Sequence, residues 1–338
     1  MSTTIHIKKG DGNMSVRETI YASLTVLAAV AISTAARADG ETIAVFTKNQ
    51  TNPYFQAVRV GADAAAKALN AKTLHYIPTK PDSIPEQLSQ VEDVVVKKTD
   101  AIVFIPVDYK AMVPSVEKIN AAKIPVVNVT DRSAGGKFVS FVGADDYSLG
   151  LETARYLFKK LGGKGNVVII EGVKGSLTSI DRVRGFNDAL KENPGVKLLA
   201  SQPGNYQRLQ ALQVMENLMQ SHRQIDGVLA ANDAMAMGVI EALEGANRTA
   251  DVTGINGTKE AVDAVKAGKL LATGDYNGFL QGCVGTMIAI RSLRNEPVLP
   301  EIVLKPTVVT KANSQPYETP IESRACPAWD EASKLGRN

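Results

Sequence analysis

Short apolar runs alternate with stretches of helical periodicity along most of this chain. The runs Thr42–Phe46, Thr73–Ile77, Ala101–Ile105, Pro125–Val129 and Phe138–Val142 are rich in valine and isoleucine. Between them, Tyr54–Leu69, Glu86–Lys97 and Ala111–Ala121 repeat apolar residues three and four apart. In the first of these, Phe55, Val58, Ala62, Ala65 and Leu69 share one face. Strands apolar on both faces and spaced by helices predict a parallel sheet covered on both sides. The alternation then repeats, with strands at Asn166–Ile170, Lys197–Ala200, Gly227–Ala230, Val252–Ile255 and Leu271–Thr273. The second set of helices falls at Ser148–Leu161, Arg182–Leu190, Tyr206–Met219, Ala234–Leu243 and Lys259–Ala267. A helix over Phe279–Leu293 and an extended segment near Ile302–Val309 complete the pattern. The expectation is an α/β protein of two similar doubly wound parallel-sheet lobes. Residues Ser314–Asn338, with Pro316, Pro320 and Pro327, read as a C-terminal extension laid on the surface.

Composition adds two things. With 338 residues, 44% hydrophobic and 22% charged, the chain has the make-up of a globular protein and the length for two domains. Its net charge is +3, but Lys8, Lys9, Arg17 and Arg37 set against Asp11 and Glu18 place most of that excess in the first 38 residues. The remaining body has no basic stripe that would mark a nucleic-acid partner. Arg17 precedes an apolar stretch from Ile20 to Ile32, and Ala36-Arg37-Ala38 has the small-x-small form of a cleavage site. That stretch is short for a membrane span. An exported chain is expected, translated from Met14 and mature from near Asp39, with an uncleaved membrane anchor as the rival. Cys283 and Cys326 are too few for a disulfide framework and have no metal-site spacing. They form either one bridge from a late helix to the tail or two buried thiols.

Candidate chemistry lies where strands end, because open parallel sheets bind ligands outside the carboxyl ends of their strands. Thr47-Lys48-Asn49-Gln50-Thr51-Asn52-Pro53-Tyr54-Phe55 leads from the first strand into a helix, with Asn52 as N-cap and Pro53 in the first turn. Its polar groups and two rings suit an object that is hydroxylated at its edges and apolar on its faces, such as a sugar; the rings could equally pack in the core. Asp131-Arg132 follows the fourth strand. Arg182 falls in the first turn of its expected helix, where a cation is unfavourable and another use is implied. Ser201-Gln202-Pro203-Gly204-Asn205-Tyr206 brings another ring to a loop. In Ala231-Asn232-Asp233, Asp233 reads as a cap and Asn232 as a group free for a ligand.

Taken in order, these motifs resemble the type I periplasmic sugar-binding proteins, the ribose-binding group of ABC-transporter solute receptors. The carriers are Thr51-Asn52-Pro53-Tyr54-Phe55, Asp131-Arg132, Asp181-Arg182-Val183-Arg184-Gly185-Phe186, Ser201-Gln202-Pro203, Asn232-Asp233-Ala234-Met235-Ala236-Met237-Gly238 and Ala267-Gly268-Lys269-Leu270. The resemblance implies two lobes joined by a three-segment hinge. Its boundaries would be a leader over 1–38, a first lobe of 39–144 plus 277–305, a second of 145–276 plus 306–313, and an extension over 314–338. It also implies ligand contacts from Lys48, Asn52, Tyr54, Phe55, Asp131, Arg132, Arg182, Tyr206, Asn232, Asn256 and Tyr276. The implied partners are a sugar or polyol and a membrane permease, with no cofactor, metal or nucleic acid, in a periplasmic protein acting as a monomer.

Four positions depart from the ribose pattern. Lys48 replaces a serine, as in the allose-binding type; Ile105 replaces an asparagine, Asn256 an aspartate and Tyr276 a glutamine. Plain ribose is therefore disfavoured. Lys48, Arg132 and Arg182 face one carried-over carboxylate, Asp131, so either a nearby acid such as Asp146 or Asp275 or a ligand carboxylate must balance them. A neutral monosaccharide or polyol and a sugar acid both remain open. No P-loop, G-x-G-x-x-G or G-x-S-x-G motif accompanies a strand, and His6, His75 and His222 show no metal spacing. An enzyme is not expected, and a transcriptional regulator on the same core would need the DNA-binding segment that the sequence lacks.

Overall fold

The computed structural model describes residues 40–336, so the expected leader lies outside the described residues. Two six-stranded sheets organise the rest. The first contains β1 (Thr42–Phe46), β2 (Lys72–Tyr76), β3 (Ala101–Phe104), β4 (Val126–Val129), β5 (Ser140–Ala144) and β11 (Glu301–Leu304), in the order β11-β5-β4-β3-β1-β2. All its pairings are parallel. The second contains β6 (Gly165–Glu171), β7 (Val196–Pro203), β8 (Gly227–Ala230), β9 (Asp251–Ile255), β10 (Ala272–Asp275) and β12 (Thr307–Val309), in the order β12-β10-β9-β8-β6-β7. The two-lobed α/β architecture is as expected. One segment differs: the run near Ile302–Val309 is two strands in two sheets, with Lys305 and Pro306 between them. Proline has no N–H to continue a ladder, and beyond it β12 joins the second sheet antiparallel to β10.

The helices are α1 (Pro53–Ala68), α2 (Ile84–Lys97), α3 (Val113–Ala121), α4 (Asp146–Lys160), α5 (Leu177–Glu192), α6 (Arg208–Ser221), α7 (Asp233–Gly245), α8 (Lys259–Ala267), α9 (Gly278–Leu293) and the short α10 (Trp329–Ala332). In α1 the Asn52 side chain accepts from the Tyr54 N–H and Pro53 takes the first turn, while Val58, Ala62 and Ala65 are buried. Helix α9 packs on α1, β3, β4 and β5, which puts a late segment in the first lobe. The chain passes between lobes at three short places: after Ala144, through Tyr276–Asn277, and through Lys305–Pro306.

The α4–α5 crossing is unusually close. A Cβ on Gly150 would lie 2.3 Å from the Arg182 carbonyl oxygen, and one on Gly185 would lie 2.3 Å from that of Tyr147. Only glycine at both positions lets the two helices approach this closely, and the approach sets Arg182 of α5 beside Asp146 of α4. Beyond β12 the tail runs through 3₁₀ turns at Gln315–Glu318 and Ile321–Ser323 to α10. The two cysteines, left open by the sequence, form a disulfide that joins α9 to this tail. Among the described residues no helix is long and apolar enough to cross a membrane.

Candidate functional site

The strand-end loops of both lobes line a shared cavity. The first lobe contributes Lys48 and Asn49 from the end of β1, Asn52, Tyr54 and Phe55 from the start of α1, Asp82, and Thr130 and Asp131 from the end of β4. The second contributes Thr178, Arg182, Tyr206, Asn232, Asn256 and, from the crossing segment, Tyr276. Ten of the eleven residues expected at the site thus meet on one cavity. Arg132 does not: it is half exposed, paired with Glu301 and stacked on the Phe141 ring at 3.7 Å. Glu301 belongs to β11, so the partner that draws Arg132 away lies 169 residues downstream.

Within the first lobe, Lys48 Nζ lies 2.7 Å from Asp131 Oδ2, both side chains being buried. Tyr54 is buried, but it is not merely core. Its hydroxyl donates to Gln281 Oε1 at 3.0 Å and lies 2.8 Å from Thr130 Oγ1. Those bonds hold its ring 5.2 Å from that of Tyr276 and 5.3 Å from that of Phe55. Asp82 is half-buried, and its partial burial raises its pKa against the pull of Lys48.

Arg182 anchors the second lobe. Helix α5 starts at Leu177, so Arg182 stands in its second turn, and the expected conflict with the helix N-terminus does not arise. The guanidinium donates from Nε to Asp146 Oδ1 at 2.8 Å and from Nη1 to the Ala231 carbonyl at 2.6 Å. It also lies over the Tyr276 ring at 4.5 Å. Burial works against its charge, but Asp146 and the hydroxyls of Tyr206 and Tyr276 hold its pKa above the ordinary value. The Tyr276 hydroxyl donates to Asp146 Oδ2 at 2.8 Å. Burial pushes the Asp146 carboxyl up to about 6, against the attraction of Arg182.

At Asn232 and Asp233 the expected roles exchange. Asn232 caps α7, its Oδ1 accepting from the Met235 N–H at 2.9 Å, though the residue still lines the cavity. Asp233 turns inward and accepts from Thr273 and Thr258. Neighbouring loops are held in unusual backbone: Tyr206 at φ 59° and Asn256 at φ 150°. Asparagine tolerates such angles better than most residues; tyrosine does not, and so is held there by its surroundings.

Three residues that line this cavity each have a buried atom without a hydrogen-bond partner: Arg182 Nη2, the Tyr206 hydroxyl and Asn256 Oδ1. Ser179 lies near the Tyr206 hydroxyl without completing a bond. Sequence reasoning missed Thr178, whose hydroxyl donates to Asp131 Oδ1 across the two lobes. It also missed Asn49, Asp82 and Thr130. Asn49, Thr130 and Thr178 stand in or beside loops already singled out, whereas Asp82 lies in the loop between β2 and α2, which was not; small polar residues are common in loops and nothing local marks these. Among the described residues no cluster of three His, Cys, Asp or Glu side chains is placed to hold a metal ion.

The model of the periplasmic binding protein domain matches residues 43–297. The ribose import binding protein of Haemophilus influenzae is 31% identical over 286 residues, covering 85% of this chain and 97% of that one. A xylitol-binding protein of Mycolicibacterium smegmatis is also 31% identical, covering 83% of this chain and 80% of its own length. Among solved structures, a periplasmic solute-binding protein of an ABC transporter from Actinobacillus succinogenes, with bound D-allose, superposes with a TM-score of 0.78. It is 33% identical and covers 82% of this chain and all of its own.

Proposed function

The chain belongs to the periplasmic binding protein family, and from that premise we propose that it captures a neutral monosaccharide or polyol between its lobes and delivers it to the membrane permease of an ABC transporter. It is a sugar receptor of the periplasm and not an enzyme. The observation that carries the ligand reading is the trio of unpartnered atoms on Arg182, Tyr206 and Asn256. A buried polar group without a partner costs about 1–3 kcal/mol, which a ligand supplying those bonds would recover. One donor, one hydroxyl that donates and accepts, and one acceptor suit adjacent ligand hydroxyls, which do both. Tyr54, Phe55 and Tyr276 offer ring surface to the C–H faces of a sugar.

Charge favours a neutral ligand. Lys48 pairs with Asp131, Arg182 with Asp146, and Arg132 lies outside the cavity with Glu301. No cation of the cavity is left that would call for a ligand carboxylate. Ribose is disfavoured in this reading because Ile105 is wholly buried and offers the cavity no polar side chain. The closed arrangement, with Thr178 bonded to Asp131 across the lobes, suits a receptor whose ligand stabilises closure by touching both. A thermal-shift panel of pentoses, hexoses, polyols and sugar acids tests the proposal. Binding at a hundredfold excess over Kd stabilises by about 2.7 kcal/mol, so neutral members should raise the melting temperature by several degrees. Stabilisation by sugar acids alone, or by ribose above all others, would overturn it.

A further inference from the structure

After β12 the chain crosses between the lobes a fourth time. On the second-lobe side its holds are reversible: β12 pairs with β10, the Tyr317 hydroxyl donates to Asp275 Oδ2 at 2.8 Å, and Glu318 pairs with Lys266 of α8 at 2.7 Å. On the first-lobe side the hold is covalent, through the bond from Cys326 to Cys283 of α9. Trp329 then lies under the Arg291 guanidinium at 4.4 Å, and Gly336 packs against the backbone of Val303 in β11. Between these anchors, residues 319–325 span the seam between the start of α1 and the start of α8. There Thr319, Pro320 and Arg324 line a second cavity together with Pro53 and Gln56 of one lobe and Lys259 of the other.

We propose that residues 314–336 form a strap that limits how far the lobes separate when ligand leaves. The inference rests on the two-lobed receptor reading for the opening motion and on the tail's own anchors for everything else. Rotation about the three short crossings moves the start of α8 relative to the start of α1, and the strap joins those two walls. Its first-lobe end cannot let go. From Glu318 to Cys326 the chain reaches about 28 Å at full extension, and the Ile321–Ser323 turn takes up part of that length. Separation therefore first draws out this slack, then strains the Tyr317–Asp275 and Glu318–Lys266 contacts. Asp275 ends β10 and leads directly into the second crossing, so the strap grips the hinge itself. A narrower range of open states lowers the conformational cost of binding and of closing again.

Pulsed EPR distances on the ligand-free full chain test this, with spin labels on Val96→Cys in α2 and Leu209→Cys in α6, both exposed positions on different lobes. Two strap variants are compared with the labelled parent: Tyr317→Phe with Glu318→Gln, which keeps the disulfide, and Cys283→Ser with Cys326→Ser. The expected result is a distribution that broadens and shifts to longer separation in the first variant, and further in the second. Distributions that superpose on the parent's in the first variant, with its fold intact by circular dichroism, would overturn the strap even if the cysteine variant failed to fold. No ligand enters the measurement, so its failure leaves the receptor reading untouched, and a failed ligand panel leaves this result readable.

Discussion

The Lys48 ammonium lies 2.7 Å from the Asp131 carboxylate, so the cation that sets this chain apart from the ribose pattern is matched from within the cavity wall. With Arg182 held by Asp146 in the same way, the binding surface carries no unmatched positive charge. Ligand affinity should therefore depend little on ionic strength. Between about 0.02 M and about 0.5 M salt, where screening lengths fall severalfold, titration calorimetry with the best stabiliser from the panel should give dissociation constants within about twofold. A tenfold loss at high salt would mean that the ligand is charged and that the two ion pairs do not neutralise the cavity.

The pairing of Arg182 with Asp146 and its proposed contact with the ligand separate under mutation. Arg182→Ala removes the partner of a buried carboxylate, and breaking such a pair costs about 3–5 kcal/mol. The single variant should unfold at markedly lower urea. Pairing it with Asp146→Asn removes the stranded charge and should restore most of the loss. In the restored variant the ligand still lacks the bonds of the guanidinium, each worth about 1.5–3 kcal/mol, so affinity should stay at least about tenfold weaker. If the paired variant bound as tightly as the parent, Arg182 would be a structural residue and Nη2 would not face the ligand.

Much of the fold and the site is legible in the sequence, and the exceptions have a common cause. The strand and helix pattern can be read because both sheet faces are covered, which writes continuous apolar runs into the strands. Asn52, Tyr54 and Phe55 can be read because cap, proline and rings are adjacent in sequence. What cannot be read are pairings between distant residues. Nothing near Arg132 reveals Glu301, and nothing near Lys48 says that Asp131 rather than a ligand will neutralise it. Asn232 and Asp233 exchange roles because either can cap a helix, and the choice is made by Thr258, which precedes α8, and by Thr273 of β10. The start of α5 is misplaced by sequence for a local reason: Leu177–Ile180 lacks the apolar periodicity that marks a buried face, so the helix declares itself only later.

The α4–α5 crossing gives a prediction about a residue far from any ligand. Gly150 has no room for a methyl group, because its Cβ would meet the backbone of Arg182. Gly150→Ala must push α5 outward, and overpacking of this kind costs about 1–3 kcal/mol. Since the displaced residue is Arg182 itself, binding should weaken along with stability. Alanine at Gly245, where no atom lies close, should do neither. Equal effects of the two substitutions on affinity would show that the helix crossing does not set the site.

Asp233 makes the pH dependence testable. Its carboxylate is buried and bonded only to neutral groups, the Thr273 hydroxyl at 2.6 Å and the Thr258 N–H and hydroxyl at 2.8 and 3.0 Å. Burial pushes its pKa up to about 6, although those bonds and the more distant Arg182 pull the other way. In the unfolded chain the same group titrates near about 3.9. Between these values the folded protein holds a proton that the unfolded chain has lost, so this group's contribution to stability falls as pH rises from about 4 to about 6 and is constant above. Two pKa units correspond to about 3 kcal/mol. Asp233→Asn removes the titration while keeping the shape, and whatever it loses in hydrogen bonding does not vary with pH. The stability of the variant relative to the parent should therefore climb by up to about 3 kcal/mol between pH 4 and pH 7, measured by urea unfolding at each pH. Other carboxylates shift the absolute curves, but they do so equally in both proteins, and only Asp233 survives the subtraction. A difference that stayed flat with pH would place its folded pKa at the ordinary carboxylate value and make the inward-turned acid a charged member of the second lobe's core.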